Sequence, residues 1–308
     1  MEMQYTRTAF KKRDIIIGIM PAVLLYLVLF FLPSLGTAVL SLTDYSTIPN
    51  RAWGFIGFQN YIDFLTQQNF RDTLDSIYRT IMYAFSVTFF QNGIALILAI
   101  ILNIRFVKGR NLYRAAIFFP VILGVTITVV IMQIIFNPMD GPAARFIGLF
   151  GLQSNFYGDF ILAFPLVIAT HVWEYVGFSL VIFLAGLQTV PAQLIESAGM
   201  DGASNFKTFI KITFPLLWPT VVASVTVTLL GTLQQYQLIL LSTGGQFNTM
   251  TLGMNMFINA FGGNTTGTTT GSKGQGYASA VAMVLFFIVL IFTFITQYLM
   301  KRKERDIA

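Results

Sequence analysis

The sequence predicts an all-α integral membrane protein with six transmembrane helices, and three observations carry that expectation. Of 308 residues, 55% are hydrophobic and only 10% are charged, whereas globular domains average roughly 45–50% apolar and about 25% charged. Six segments reach the roughly 20 apolar residues needed to cross a bilayer core about 30 Å thick. None of them shows the strict alternation of a membrane strand, so the spans are helices rather than a barrel. A soluble enzyme, a nucleic-acid binder and a disordered chain are excluded. There is no cysteine and a single histidine, His171, which excludes a disulfide framework, a Cys-ligated zinc and a His-rich metal site.

The spans are expected near 15–42, 80–103, 112–136, 161–187, 220–241 and 277–300. Pro21 and Pro33 predict a kink or short break in the first. That segment follows Lys11, Lys12 and Arg13 but is longer than a signal-peptide apolar region and lacks a small-residue cleavage site, so it reads as a retained span. Outside the spans, 43–79 carries apolar residues at mixed spacing and predicts short interfacial helices, either amphipathic at the interface or packed as a lid on the bundle. The Gly/Thr tract 262–272 predicts a flexible tether. No long internal repeat divides the chain, so residues 1–308 are expected to form one transmembrane domain.

The basic residues set the orientation. Arg7, Lys11, Lys12, Arg13, Arg105, Lys108, Arg110, Arg114, Lys207, Lys211, Lys301, Arg302, Lys303 and Arg305 fall on one side, leaving Arg51, Arg71, Arg79, Arg145 and Lys273 on the other. The basic-rich side is cytoplasmic, so both termini are expected there. The net charge of +6 is therefore a topology signal and implies no nucleic acid.

The connection between the fourth and fifth spans, 190–215, reads as two short helices joined by a turn. Pro191 suits a helix start, Ala192 to Ala198 are good helix formers, and Asp201-Gly202 supplies the turn. Phe206, Phe209, Ile210 and Phe214 then form an apolar stripe at helical spacing, ended by Pro215. Such an elbow is either an amphipathic connector or a segment built to dock into another protein's groove.

This elbow is similar to the EAA loop of binding-protein-dependent ABC importer permeases, with the pattern E-A-A-x3-G-x9-I-x-L-P. Glu196, Ser197, Ala198, Gly202, Ile212, Phe214 and Pro215 stand at the matching spacings, with Ser197 and Phe214 as mild departures. Further along the chain, Pro21, the stretch 55–61, Gly109-Arg110, Phe119-Pro120, Asn137-Pro138, Trp173, Gly177-Phe178 and Thr243-Gly244-Gly245 resemble the sugar-permease branch, in the maltose-type and glycerol-phosphate-type first permease. Gln246 stands where that branch usually has proline.

The resemblance implies the type I ABC importer permease (MetI-like) fold and an assembly with a second homologous permease. Two ATP-binding subunits would receive the elbow, and an extracytoplasmic solute-binding protein would deliver a saccharide. It also implies roles for Glu196, Ser197, Ala198, Asp201, Gly202, Ile212 and Pro215 in coupling to the ATPase. The chain has no G-x-x-x-x-G-K-[ST] loop, so ATP and Mg are expected to be used by the partner ATPase subunits. No cofactor is expected on this chain.

Polar side chains in the hydrocarbon zone should face protein or water. Trp173, Glu174 and Tyr175 lie near the middle of the fourth span, Gln91 and Asn92 in the second, and Gln234, Gln235 and Tyr236 in the fifth. Aromatic faces with amide and carboxylate groups suit a sugar, although several of these residues could instead be interhelical glue. Gln91 and Asn92 read more readily as glue. Glu174 is either a cavity ligand or a buried partner of His171, three residues away. Glu174 with Gln234 or Gln235 is the expected cavity lining. No Lys or Arg lies mid-span, which favours a neutral di- or oligosaccharide over glycerol phosphate or another charged solute. A membrane enzyme would need converging acid/base or metal groups, and a self-assembling channel would need a pore-lining ring; neither pattern is present.

Overall fold

A computed structural model of the chain describes residues 12–46, 53–66, 70–104, 108–262 and 273–307. Arg7, Lys11, Arg51, Arg105 and the tract 263–272 lie outside the described residues, as do the side chains of Lys12, Arg13, Arg71, Lys301, Arg302, Lys303 and Arg305. The described residues contain six helices long and apolar enough to cross a membrane, and no strand beyond an isolated bridge between Thr43 and Phe55.

The first span is α1 (Lys12–Tyr26), a π turn at Leu27–Phe31, and α2 (Leu32–Leu40). The expected break is this widened turn. It contains Leu29, whose carbonyl the ring of Pro33 would meet in a regular α-helix, and the extra residue relieves that clash. After it come α3 (Gln59–Thr66) and α4 (Phe70–Asn103). Helix α4 begins ten residues before the expected start of the second span, so part of the outer segment is a continuation of that span. Within α3, Phe64 is buried against Leu252 and Tyr277, which makes this segment a lid packed on the bundle.

The chain continues through α5 (Arg110–Ile135), α6 (Pro142–Gly148), a single 3-10 turn at Phe156–Gly158 and α7 (Ala163–Gln188). Helix α5 is interrupted at Gly124, where φ is +74° and ψ is 157°. The elbow is α8 (Ala192–Met200) and α9 (Asn205–Thr208). A second π turn, Phe209–Thr213, leads into α10 (Phe214–Leu233) and the short α11 (Gln237–Ser242). As in the first span, the π turn precedes a proline, here Pro215, and contains Lys211, the residue four before it. The last helices are α12 (Leu252–Phe261) and α13 (Gln275–Ile307).

Helix α7 is the hub of the bundle and packs on α4, α5 and α10. Small residues permit the close approach that van der Waals packing in a membrane requires. A Cβ on Gly177 would sit 2.5 Å from the backbone oxygen of Ile117 on α5. Towards the elbow end, Ala95, Ala99 and Leu102 of α4 meet Leu180, Phe183 and Leu187 of α7 and Leu217 of α10. At the same end, Trp218 Nε1 donates to the Met300 carbonyl at 3.1 Å. The opposite half is held by Tyr83, Val87, Val129, Val167 and Met254. The first span buries none of its most apolar window inside this chain, and its main packing contact is α2 on α13.

Candidate functional site

Midway along α4 and α7, beside the end of α10, lies a cleft of about 230 Å³. Gln91, His171 and Tyr175 form one wall, and Thr228, Gly231, Thr232 and Gln235 form the other, with Phe178 and Val227 completing the lining. The Gln91 amide donates from Nε2 to Ser179 Oγ at 2.8 Å and to the Tyr175 carbonyl at 3.3 Å. Its Oε1 is buried with no protein partner. A buried amide oxygen without a partner is costly in hydrocarbon. His171 Nδ1 is hydrogen bonded to the Tyr83 hydroxyl at 2.8 Å, and its ring stacks obliquely on Tyr175 at 4.8 Å. These contacts fix the orientation of both rings at the cleft wall.

Of the sequence-predicted path residues, Gln91, Tyr175 and Gln235 meet at this cleft. The others are placed elsewhere. Asn92 turns towards α10, accepting from Ser224 Oγ at 2.6 Å and donating to the Thr88 carbonyl at 2.9 Å, an interhelical bond from α4 to α10 as that of Gln91 to Ser179 is from α4 to α7. Glu174 is 1% exposed and does not line the cleft, and its Oε2 has no protein partner. Among the described residues no ion pair joins it to His171, which is bonded to Tyr83 instead. Trp173 is 36% exposed and is not part of the cleft lining.

The fifth span requires a correction. It was expected over 220–241, but the continuous helical stretch runs Asn205–Leu233 and stops. Gln234 and Tyr236 leave helical geometry, with φ of −98° and −133°. The reason is tertiary. The start of α12 approaches so closely that a Cβ on Gly253 would lie 3.2 Å from the Gln235 carbonyl oxygen. Tyr236 then stacks on Phe257 at 5.0 Å, and Gln234 folds back to the Leu230 carbonyl at 3.3 Å. Only Gln235 of this group reaches the cleft. Thr228, Gly231 and Thr232 were missed by the sequence reading, yet with Gln235 they recur every three or four residues and define one small, polar helix face.

At the elbow, α8 closes in a Schellman arrangement. Ala203 N–H donates to the Ala198 carbonyl at 3.0 Å and Gly202 N–H to the Gly199 carbonyl at 3.1 Å. Gly202 holds φ at +74°, the left-handed conformation that glycine adopts without penalty. Ser204 caps α9, accepting from the Lys207 N–H. Glu196, Ser197, Asp201 and Gly202 are exposed, Ala198 is buried beneath the turn, and Ile212 and Pro215 are half-buried at the junction with α10. Met200 and Phe206 are 85% and 75% exposed.

Six apolar helices around a largely apolar cleft that carries a few polar side chains, with a protruding helical elbow at one end, define a multi-pass membrane transport component. The model of the family described as binding-protein-dependent transport system inner membrane component matches residues 62–305, and the chain belongs to that family. It is an ABC importer permease, a transport subunit and not an enzyme. The chain is 30% identical over 279 residues to the trehalose/maltose transport system permease protein MalF of Thermococcus litoralis, covering 90% of each. It is 28% identical over 282 residues to the arabinooligosaccharides transport system permease protein AraP of Bacillus subtilis, covering 90% of this chain and 85% of that one. Among solved structures, a bacterial ABC transporter that imports the acidic polysaccharide alginate contains a chain of the same fold, with a TM-score of 0.78 at 19% identity, covering 94% of this chain and 96% of that one.

Proposed function

We propose that this chain is the translocation subunit of an ATP-driven, binding-protein-dependent importer of a neutral di- or oligosaccharide. The observation that carries the reading is mechanical continuity. The elbow runs through the π turn at Phe209–Thr213 directly into α10, and the far end of α10 presents Thr228 and Thr232 to the cleft, with Gln235 just beyond the helix end. A displacement at the elbow is therefore delivered to the cleft wall by one helical rod. ATP hydrolysis with Mg in two partner ATPase subunits would close them and move the elbow, reorienting α10 in an alternating-access cycle. Glu196 and Asp201 would pair in the ATPase groove, Ser197 and Ala198 would allow close approach, Gly202 would hold the turn, and Ile212 and Pro215 would fix it to α10.

The cleft supports a saccharide by its chemistry: ring faces from Tyr175 and Phe178, amides from Gln91 and Gln235, and hydroxyls from Thr228 and Thr232. No Lys or Arg lines it, which counts against glycerol phosphate. The first span buries none of its most apolar window within this chain, which supports a second homologous permease packing there and completing the site. An extracytoplasmic solute-binding protein delivers the sugar, and both termini face the cytoplasm. The whole chain, 1–308, acts as one transmembrane domain in which 190–215 is the coupling loop.

Copurification from native membranes tests the assembly: an ATPase and a second multi-span permease should accompany the chain. Uptake of a labelled saccharide, competed by a panel of unlabelled ones, identifies the substrate. Failure of every neutral saccharide to compete, with glycerol phosphate competing, would sink the substrate class.

A further inference from the structure

A second opening lies at the end of the bundle opposite the elbow. It holds about 510 Å³ and is lined chiefly by Gln133, Phe136, Asn137, Asn155, Tyr157 and Phe247, with no charged side chain. That volume falls within the about 300–1,000 Å³ usual for small-ligand sites. An adjoining opening of about 540 Å³ shares Pro138 and Asn155 with it.

The walls are held rigidly and at a cost. Among the described residues, the non-glycine positions with positive φ are Phe156, Phe247 and Asn248, and all three stand at this opening or next to its lining. A bulky residue keeps that conformation only where its surroundings impose it, and such positions cluster at ligand clamps. Phe156 is buried with its ring 5.4 Å from Phe136, and Phe247 packs on Phe160 at 5.4 Å. The Tyr157 hydroxyl is tied to Thr170 Oγ1 at 2.5 Å.

Hydrogen-bonding capacity remains free around these rings. Asn155 is exposed, and its side-chain amide has no partner among the described residues. Asn137 uses Oδ1 to accept the Met139 N–H at 2.9 Å, leaving its NH₂ group free. Gln133 donates from Nε2 to the Leu241 carbonyl at 3.1 Å, leaving Oε1 free. Amide donors and acceptors around aromatic faces suit a ligand with apolar C–H faces and a rim of hydroxyls, which is a pyranose or furanose ring. An anion would require a cation in the lining, and this opening has none; Arg145 lines only the adjoining one, together with Asp159.

We propose that this opening is a second, outer binding site for one unit of a neutral saccharide, separate from the cleft between α4, α7 and α10. The proposal rests on the saccharide reading given above. The adjoining opening leaves room for further units, which favours an oligosaccharide over a monosaccharide. The contact of Gln133 with Leu241 places the outer site against α11, the helix that starts two residues after the cleft residue Gln235. A sugar held there would wait at the mouth of the path.

The absence of cysteine makes a direct test available. Met139, 93% exposed on the rim, is replaced (Met139→Cys) in the full complex, without the solute-binding protein. Labelling of this chain by a membrane-impermeant maleimide is then timed with maltotriose, arabinotriose or trehalose present. At ten times the dissociation constant, labelling should slow about tenfold. The same protection should persist with Gln91→Leu and should require several-fold more sugar with Asn155→Ala. Unchanged labelling in a complex that still imports one of these sugars overturns the outer site and leaves the transport reading intact. Protection that appears only with the binding protein added, or that Gln91→Leu abolishes, also overturns it. Protection in a complex that imports neither these nor any other neutral saccharide upholds the outer site and sinks the transport reading instead.

Discussion

Ala203 donates its backbone N–H to the carbonyl of Ala198 at 3.0 Å, closing the end of α8 around Gly202 in the left-handed conformation. For an L-residue that conformation costs about 1–2 kcal/mol, and a β-branched side chain worsens it. Gly202→Val should therefore unravel the elbow turn and uncouple ATP hydrolysis from uptake, Gly202→Ala should be milder, and Gly202→Asn milder still. The ratio of saccharide uptake to ATPase rate in reconstituted vesicles checks the order. Full coupling in Gly202→Val would count against a role for the elbow.

Neighbouring residues Gln91 and Asn92 should separate by function. Gln91 is part of the cleft wall, so Gln91→Leu should leave the complex folded and depress uptake. Asn92 is bonded to Ser224, and interhelical hydrogen bonds in membranes average about 0.6 kcal/mol. Asn92→Leu should lower thermal stability slightly and leave the apparent KM for sugar unchanged. Equal KM effects for both would refute the assignment.

Gln235 and Glu174 make a second contrasting pair. Gln235→Ala should raise KM because the side chain lines the cleft. Glu174→Gln should not, since Glu174 is buried away from it. A large KM change from Glu174→Gln alone would place the path on the other side of α7.

Gly177 tests packing rather than transport chemistry. Its missing side chain lets the α5 backbone approach, and overpacking a tight interface typically costs about 1–3 kcal/mol. Gly177→Leu should lower the unfolding temperature in detergent and reduce the yield of assembled complex. An unperturbed unfolding temperature would mean that α5 and α7 are free to separate.

Orientation is open to a chemical check. In this cysteine-free chain, Lys207→Cys should react with impermeant reagents only from the cytoplasmic face, and Met139→Cys only from the opposite one. The reverse pattern would invert the topology.

The six spans were legible because hydrocarbon imposes a length and an apolar composition that few soluble segments meet. The elbow turn was legible at Asp201-Gly202, where local chemistry decides the conformation. Residues whose placement depends on a distant neighbour were harder. Gln234, Gln235 and Tyr236 read as consecutive helical positions, but the approach of Gly253 and the Phe257 ring end the helix before them. Thr228 and Thr232 carried a usable signal in their spacing, yet threonine in an apolar span is common enough to pass unremarked.

From the sequence alone came the membrane class, the expected orientation, the elbow and the pool of polar mid-span residues, because each depends on composition or local spacing. The tertiary structure decided which of those polar groups share a cleft, since rotation about a helix axis is set by packing against its neighbours. It turned Asn92 towards Ser224 of α10 and Gln91 towards Ser179 of α7 at the cleft wall, although the two are adjacent in the chain and alike in chemistry. It also joined the elbow to the cleft through α10, a connection that no stretch of sequence states by itself.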